Sequence, residues 1–485
     1  MTPRATYRLQ FNRDFTFADA AALAPYLAAL GVSHLYASPW LKARAGSTHG
    51  YDIVDHDAFN PELGGEAGYE GLSEALSKHE LGHVLDFVPN HMGVAQAENA
   101  WWMDVLEWGR ASPHAHHFDI DWSPPQAALR DKLLLPVLGY AYGDVLEAGE
   151  LKVLFDPKNG TFSVRYHDHR FPLAPCSYAT PIRLAMAADI GVAAALESFA
   201  TGFAQLDIRG DTSARRIAQV RGEADALKAR LAAETSLHAA LRRGAAALAG
   251  VRRKPQTFRP LHDLLEGQAY RLAFWQTAAD EINYRRFFDI NAMAGIRVED
   301  RRVFEQVHAL VARLSRGGKL DGLRIDHVDG LHDPAQYCRR LRRLVPRSRY
   351  LVVEKILERS ERLPADWVVD GTTGYDFLNQ VNGLLVDARS EGALTRTYQR
   401  FIGEAIEFHQ VSYAAKKQVI ETAFRSELRR LSIQLRGLAE QHWRTRDYTL
   451  QELTQVLKEI AAAFPVYRTY VDERNASAQR AARAA

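Results

Sequence analysis

The run Leu320-Asp321-Gly322-Leu323-Arg324-Ile325-Asp326-His327-Val328-Asp329-Gly330 constrains the fold more than any other stretch of the chain. Leu320, Leu323, Ile325 and Val328 read as a short buried strand, bracketed by Gly322 and Gly330. Charged residues are rare inside such a strand. Arg324 and Asp326 stand two apart, so the pleat puts both on one face. An Arg beside an Asp favours the ionised carboxylate. A carboxylate held at a strand exit can act as a nucleophile or serve as half of a structural ion pair, and these residues alone leave both readings open.

The chain has 485 residues, too many for one ordinary domain and enough for a large core. Its 47% hydrophobic and 25% charged content is that of a soluble globular protein. A net charge of +2 gives no case for nucleic acid or an anionic membrane as partner. Cys176 and Cys338 have neither metal spacing nor a disulfide framework, and read as two buried thiols in a reducing cytoplasm. Met1 to Leu9 lacks the apolar core of a secretion signal. No uncharged stretch is long enough to span a bilayer.

Taken in order, Thr16 to Leu30 predicts a helix, with Thr16 and Asp19 as a capping box and Gly31 as its stop. Pro25 predicts a kink or break within it. Val32 to Ala37 predicts a strand, Ser38 to Gly65 a long ordered binding loop, Gly68 to His79 a helix and His83 to Val88 a strand. This order is that of a parallel α/β sheet. Residues 1–92 therefore form its first part. Residues 93–280 read as an insertion, mixed and then helical, and residues 281–390 resume the α/β rhythm. There Arg285 to Ile290, Tyr350 to Ile356 and the start at Trp367 to Val369 predict strands, Asp300 to Ser315 predicts one helix, and Asp333-Pro334 opens another. Residues 391–470 read as helical and 471–485 as a disordered tail. His114, His116 and His117 suit a surface loop better than a metal site. Trp40, Trp101, Trp102 and Trp108 could wall a pocket, with core packing expected for at least half of them.

Three predicted strands end in polar residues: Asp86 with Asn90-His91, Arg324 with Asp326, and Glu354. The C-terminal ends of strands are where α/β barrels build their sites. Asp326 and Glu354 are 28 residues apart, an ordinary helical crossover. Two carboxyls so placed suit glycoside chemistry, retaining if they sit about 5 Å apart. Val352, Val353 and Ile356 flank Glu354, and desolvation there is expected to raise its pKa.

Asp86-Phe87-Val88-Pro89-Asn90-His91, Gly322-Leu323-Arg324-Ile325-Asp326 and Val353-Glu354 resemble, in that order, three signature regions of the α-amylase family of glycoside hydrolases. The resemblance implies an α/β fold, a (β/α)8 TIM barrel with a large, mostly helical insertion. It implies Asp326 as nucleophile, Glu354 as general acid/base and Arg324 as the residue orienting the nucleophile. Tyr51, in Gly50-Tyr51-Asp52, and His91 would line the site for the reacting glucose, with Asp86, Asn90 and His327 completing the substrate-binding set. Tyr7-Arg8-Leu9-Gln10-Phe11, His34 to Pro39, Ser47 to Asp52, Gly371 to Phe377 and Phe464 to Tyr470 resemble the trehalose-forming branch of that family. That branch implies a maltooligosaccharide substrate and an intramolecular transglycosylation of its reducing-end α-1,4 bond to an α,α-1,1 bond. It implies no metal, no organic cofactor, and work alongside a trehalose-releasing hydrolase. One departure stands out: the family carries a third catalytic carboxylate in a Lys-Gly-x-Glu-Asp stretch, and this sequence has none. The expectation is a C-terminally truncated barrel, incomplete at its end. A hydrolase or glucanotransferase of the same family, and a non-catalytic glucan-binding fragment, are the alternatives.

Overall fold

Six strands form the sheet that carries the site: β1 (Thr6–Leu9), β2 (His34–Ala37), β3 (Gly82–Phe87), β4 (Gly322–Ile325), β5 (Tyr350–Val353) and β6 (Gly371–Thr372). They lie side by side in chain order, every neighbouring pair parallel. This is an incomplete (β/α)8 barrel with a helical insertion, as the sequence predicts. The computed structural model describes residues 2–206, 213–346, 349–358 and 361–471; the predicted tail lies outside them from residue 472 onward.

Parallel strands need crossovers, and among the described residues helices lie in every connection but that from β5 to β6. Phe17–Leu30 joins β1 to β2. It starts where Asp19 accepts from the Thr16 N–H at 2.7 Å and stops at Gly31, whose φ of 87° suits glycine. Of the kink or break expected at Pro25, the break is absent, for one helix runs through it; Ala20, Ala24 and Leu27 hold its inner face in the core. Pro334–Leu344 joins β4 to β5, with Asp333 accepting from the Gln336 N–H at 2.8 Å.

Several boundaries differ from the sequence reading. The expected loop after Ser38 holds an antiparallel ribbon, Leu41–Ala43 with Ile53–Phe59. The single helix expected over Asp300 to Ser315 is two, Arg301–Val307 and Ala309–Arg316, divided at the buried His308. The His308 ring bonds both the Phe304 carbonyl and the Tyr337 hydroxyl at 2.7 Å, so a polar side chain anchors the junction. The last strand starts at Gly371, because Trp367 turns into the core instead. Arg286–Phe287 is a two-residue strand outside the parallel sheet. Trp40 is fully buried, stacked on Phe59 at 5.4 Å, and so belongs to the core.

The chain divides into two compact units, the first holding the barrel and the second residues 92–286 with 290–295. Within the second unit, Lys152–Asp156, Thr161–Tyr166 and His169–Pro172 form an antiparallel sheet. Four helices follow between Ala179 and Ala246. Trp102 packs edge-on against Phe118 and Tyr284 in this unit's core, and Trp108 is buried too. Of the histidines expected in a surface loop, His116 is exposed, while His114 stacks on Trp101 at 5.5 Å and His117 is buried. Both cysteines are free; burial pushes the Cys338 thiol up to about 12, while Cys176 is half-buried. Among the described residues, no helix is long and apolar enough to cross a membrane.

Candidate active site

The centre of the site is a salt bridge between neighbouring strands. Asp86 on β3 and Arg324 on β4 are register partners, and Arg324 Nη1 donates to Asp86 Oδ1 at 2.5 Å. The same nitrogen donates to Asp326 Oδ1 at 2.7 Å, and Arg324 Nη2 lies 3.2 Å from Glu354 Oε1. One guanidinium therefore serves three carboxylates. The strand ladder continues past the strand ends: Asp326 N donates to the Phe87 carbonyl and Glu354 N to the Ile325 carbonyl, each at 2.8 Å. That continuation holds both acids at the C-terminal mouth. Glu354 Oε2 accepts from the His327 N–H at 2.8 Å, which fixes the second carboxylate from the first acid's own turn.

Arg324 beside Asp326 is expected from sequence to keep that carboxylate ionised. The structure shows the opposite direction. Burial pushes Asp326 up to about 7; Arg324 pulls it down, and the charges of Asp86 and Glu354 push it up again. A guanidinium divided among three acids does not offset the burial of Asp326, which stays raised. The apolar flank expected around Glu354 is only half present. Val352 and Val353 are buried, but Ile356 is 59% exposed and the Glu354 side chain keeps 25% of its surface. Burial opposes the charge of Arg324, yet Asp86, Tyr36, Asp326 and Glu354 together hold its pKa above the ordinary value.

Asp86 has no exposed side-chain surface. Its Oδ2 accepts from Tyr51 at 2.6 Å, Tyr36 at 3.2 Å and Arg8 at 3.4 Å. It therefore anchors Tyr51, Tyr36 and Arg8, and its own side chain lies wholly out of solvent. Arg8 and Tyr36 are site residues that sequence reasoning did not single out. The available signal was a polar group on each of two short strands, and the two are register partners across β1 and β2.

The remaining predicted residues gather beside this centre. His91 is buried, with Nε2 3.2 Å from the Tyr51 carbonyl and its ring 4.4 Å from Phe287. Asn90 Nδ2 lies 3.3 Å from His91 Nδ1. His327 adopts a left-handed conformation (φ 44°) and packs on Phe287 and Phe288. Such backbone in a non-glycine residue concentrates at functional sites. Gly330 must be small: a Cβ there would lie 2.2 Å from the His327 ring and 2.7 Å from Asn90 Oδ1.

A second polar cluster lies just after Glu354. Lys355 is fully buried, 2.9 Å from Glu361 and 3.3 Å from Asp329. Tyr470 lies under its ammonium and donates its hydroxyl to Asp329. Arg468 donates to the carbonyls of Asp329, Leu331 and His332. Residues 464–471 thus form a strap tied to the turn after β4. Burial pushes the Tyr467 hydroxyl upward, with Asp329 and Glu354 adding to the shift.

The parallel barrel carries an Arg-Asp pair at one strand end and a Glu at the next, and the family model described as the α-amylase catalytic domain matches residues 22–137. Over most of its length the chain is similar to maltooligosyl trehalose synthases. It is 36% identical over 433 residues to a Mycobacterium tuberculosis protein given that name provisionally, which is 88% of this chain and 44% of the relative. The structure of maltooligosyltrehalose synthase from Arthrobacter ramosus matches with a TM-score of 0.71 at 34% identity, over 99% of this chain and 51% of that one. The structure of the DSM5389 glycosyltrehalose synthase matches with a TM-score of 0.71 at 32% identity. The chain spans about half the length of the relatives it matches.

Proposed function

We propose that this chain carries the nucleophile and the acid/base of a retaining transglycosylase that converts maltooligosaccharides to maltooligosyltrehaloses. The observation that carries this reading is that Asp326 and Glu354, at adjacent strand ends, share the Arg324 guanidinium. Glu354 is the more open of the two acids. It gives its proton to the oxygen of the reducing-end α-1,4 bond while Asp326 bonds to the anomeric carbon and that C–O bond breaks. The freed glucose stays bound and turns. Its anomeric hydroxyl then attacks the glycosyl–Asp326 ester, returns a proton to Glu354 and leaves an α,α-1,1 bond.

The chemistry is redox-neutral and runs on carboxylates alone. Arg324 holds Asp326 in place for attack, and Asp86 holds Arg324. Tyr51, tied to Asp86, presents its ring to the sugar, while His91, Asn90 and His327 bind the reacting glucose. Water must be excluded, because it competes with the glucose hydroxyl for the same ester. The product still holds an α-1,4 bond beside its trehalose end, which a trehalose-releasing hydrolase would cut.

Incubation with maltopentaose tests the reading. Loss of reducing ends without chain shortening supports it. Free glucose or maltose supports a hydrolase instead. Glucan binding without turnover, unchanged in Asp326→Asn, supports a binding module.

A further inference from the structure

We infer that the second unit carries a binding groove of its own for a short stretch of α-1,4-glucan, lined by the rings of Tyr140, Tyr166, His169 and Phe171 and by the Gln96 amide. The groove is read from geometry alone; the choice of an α-1,4 chain as its occupant rests on the reaction proposed above.

Three observations carry it. First, two cavities of about 290 and 460 Å³ adjoin within this unit, sharing Val137 and His169 as lining residues. Sites for small molecules occupy roughly 300–1,000 Å³, so the joined space is that of a binding site.

Second, rings line it in a row. The hairpin of Thr161–Tyr166 and His169–Pro172 sets three of them in nearly parallel planes. The His169 ring lies at 10° to Tyr166 and 12° to Phe171, with centroids 6.5 and 5.8 Å apart. Tyr140, 69% exposed, adds a fourth ring in the second cavity. Successive flat apolar faces suit a ligand built of repeating rings, whose C–H faces lie against them.

Third, the polar groups beside the rings are those that meet hydroxyls. His169 Nδ1 lies 2.9 Å from the Ala95 carbonyl, which only accepts, so the ring proton sits there and Nε2 is an acceptor. Gln96 lines the first cavity and brings an acceptor and two donors. Arg170, the cation of that cavity, is already engaged by Asp156 at 3.3 Å and Ser163 at 3.0 Å. Glu150 and Asp168 line the second cavity and repel an anion. Apolar faces with a few hydroxyl partners, beside a paired cation and two carboxylates, select a neutral sugar over a phosphate or a nucleotide. A second hold on the substrate polymer raises its effective concentration without a new contact at the reacting bond.

The test is calorimetric titration with maltoheptaose of residues 1–485 carrying Asp326→Asn, so that the glucan is not consumed. The expected result is two sites. Tyr140→Ala and Gln96→Ala should each weaken one of them about fivefold and leave the circular dichroism unchanged, while Tyr51→Ala should weaken only the other. Binding that is abolished by Tyr51→Ala and untouched by both groove variants overturns the inference. So does cellohexaose binding as tightly at the Tyr140-dependent site, because that removes the α-linked chain as its ligand. A Tyr140-dependent site in a chain on which Tyr51→Ala has no effect counts against the proposed reaction and not against the groove.

Discussion

Asp86 and Arg324 sit directly opposite one another on adjacent parallel strands, joined at 2.5 Å with both side chains almost wholly out of solvent. Breaking a buried pair from one side is far costlier than the pair's net worth, because the remaining charge is stranded. Asp86→Ala should therefore lower the unfolding free energy by about 3 kcal/mol, read from urea denaturation. Asp86→Asn keeps the shape and should cost less. Equal losses in the two variants would show that charge is not what the pair contributes.

Asp326 should behave in the opposite sense. Its folded pKa is about 7, raised first by burial. An acid raised on folding contributes fully below its unfolded value, near 4, and that contribution is lost as pH rises through 7. Asp326→Asn removes the charge that burial penalises. It should therefore melt higher than the parent at pH 8, by at least about 2 °C, with the difference shrinking towards pH 4.5. A melting difference independent of pH would refute the assignment. The same variant should lose all glucan turnover.

Glu354→Gln separates proton donation from positioning. General acid catalysis contributes roughly 10²- to 10⁴-fold, so turnover of maltopentaose should drop by a factor in that range. Transfer from α-glucosyl fluoride, whose leaving group needs no proton, should survive. Loss of both to the same degree would move Glu354 out of the acid's role.

Lys355→Met addresses the strap. It strands Asp329 and Glu361 in a cluster that excludes the ammonium from solvent entirely. Stability should fall by about 3 kcal/mol, and amide exchange over residues 464–471 should rise before that of β4 and β5. Unchanged exchange there would show that Arg468 and Tyr470 hold the strap without Lys355.

The strand ends were legible because each charged residue stood in an apolar run, and alternation said which ones share a face. Arg324, Asp326 and Glu354 fall together on that logic alone. What it could not supply was the sharing of one guanidinium, because that depends on how strands distant in the chain line up. Asp86 illustrates the gap: its spacing from Asn90 and His91 placed it near the site, but only the register with β4 shows that it faces inward. Arg8 and Tyr36 stood inside two of the motifs but drew no role of their own, because polar groups on a four-residue strand are an ambiguous signal. The strap was illegible for a similar reason: Lys355 and Tyr470 are far apart in sequence, and nothing local to either announces the other.

The register of β3 and β4 also bears on how such a scaffold can change. Between Phe87 and Gly322 the chain makes an excursion long enough to hold a second folded unit, yet Asp86 and Arg324 still meet. A single extra residue inside Gly322–Ile325 would instead throw Arg324 and Asp326 onto opposite faces. Whole modules can be grafted where strands are connected, whereas the strands themselves tolerate no slippage. New specificities on this barrel are therefore expected to arise by lengthening its connections.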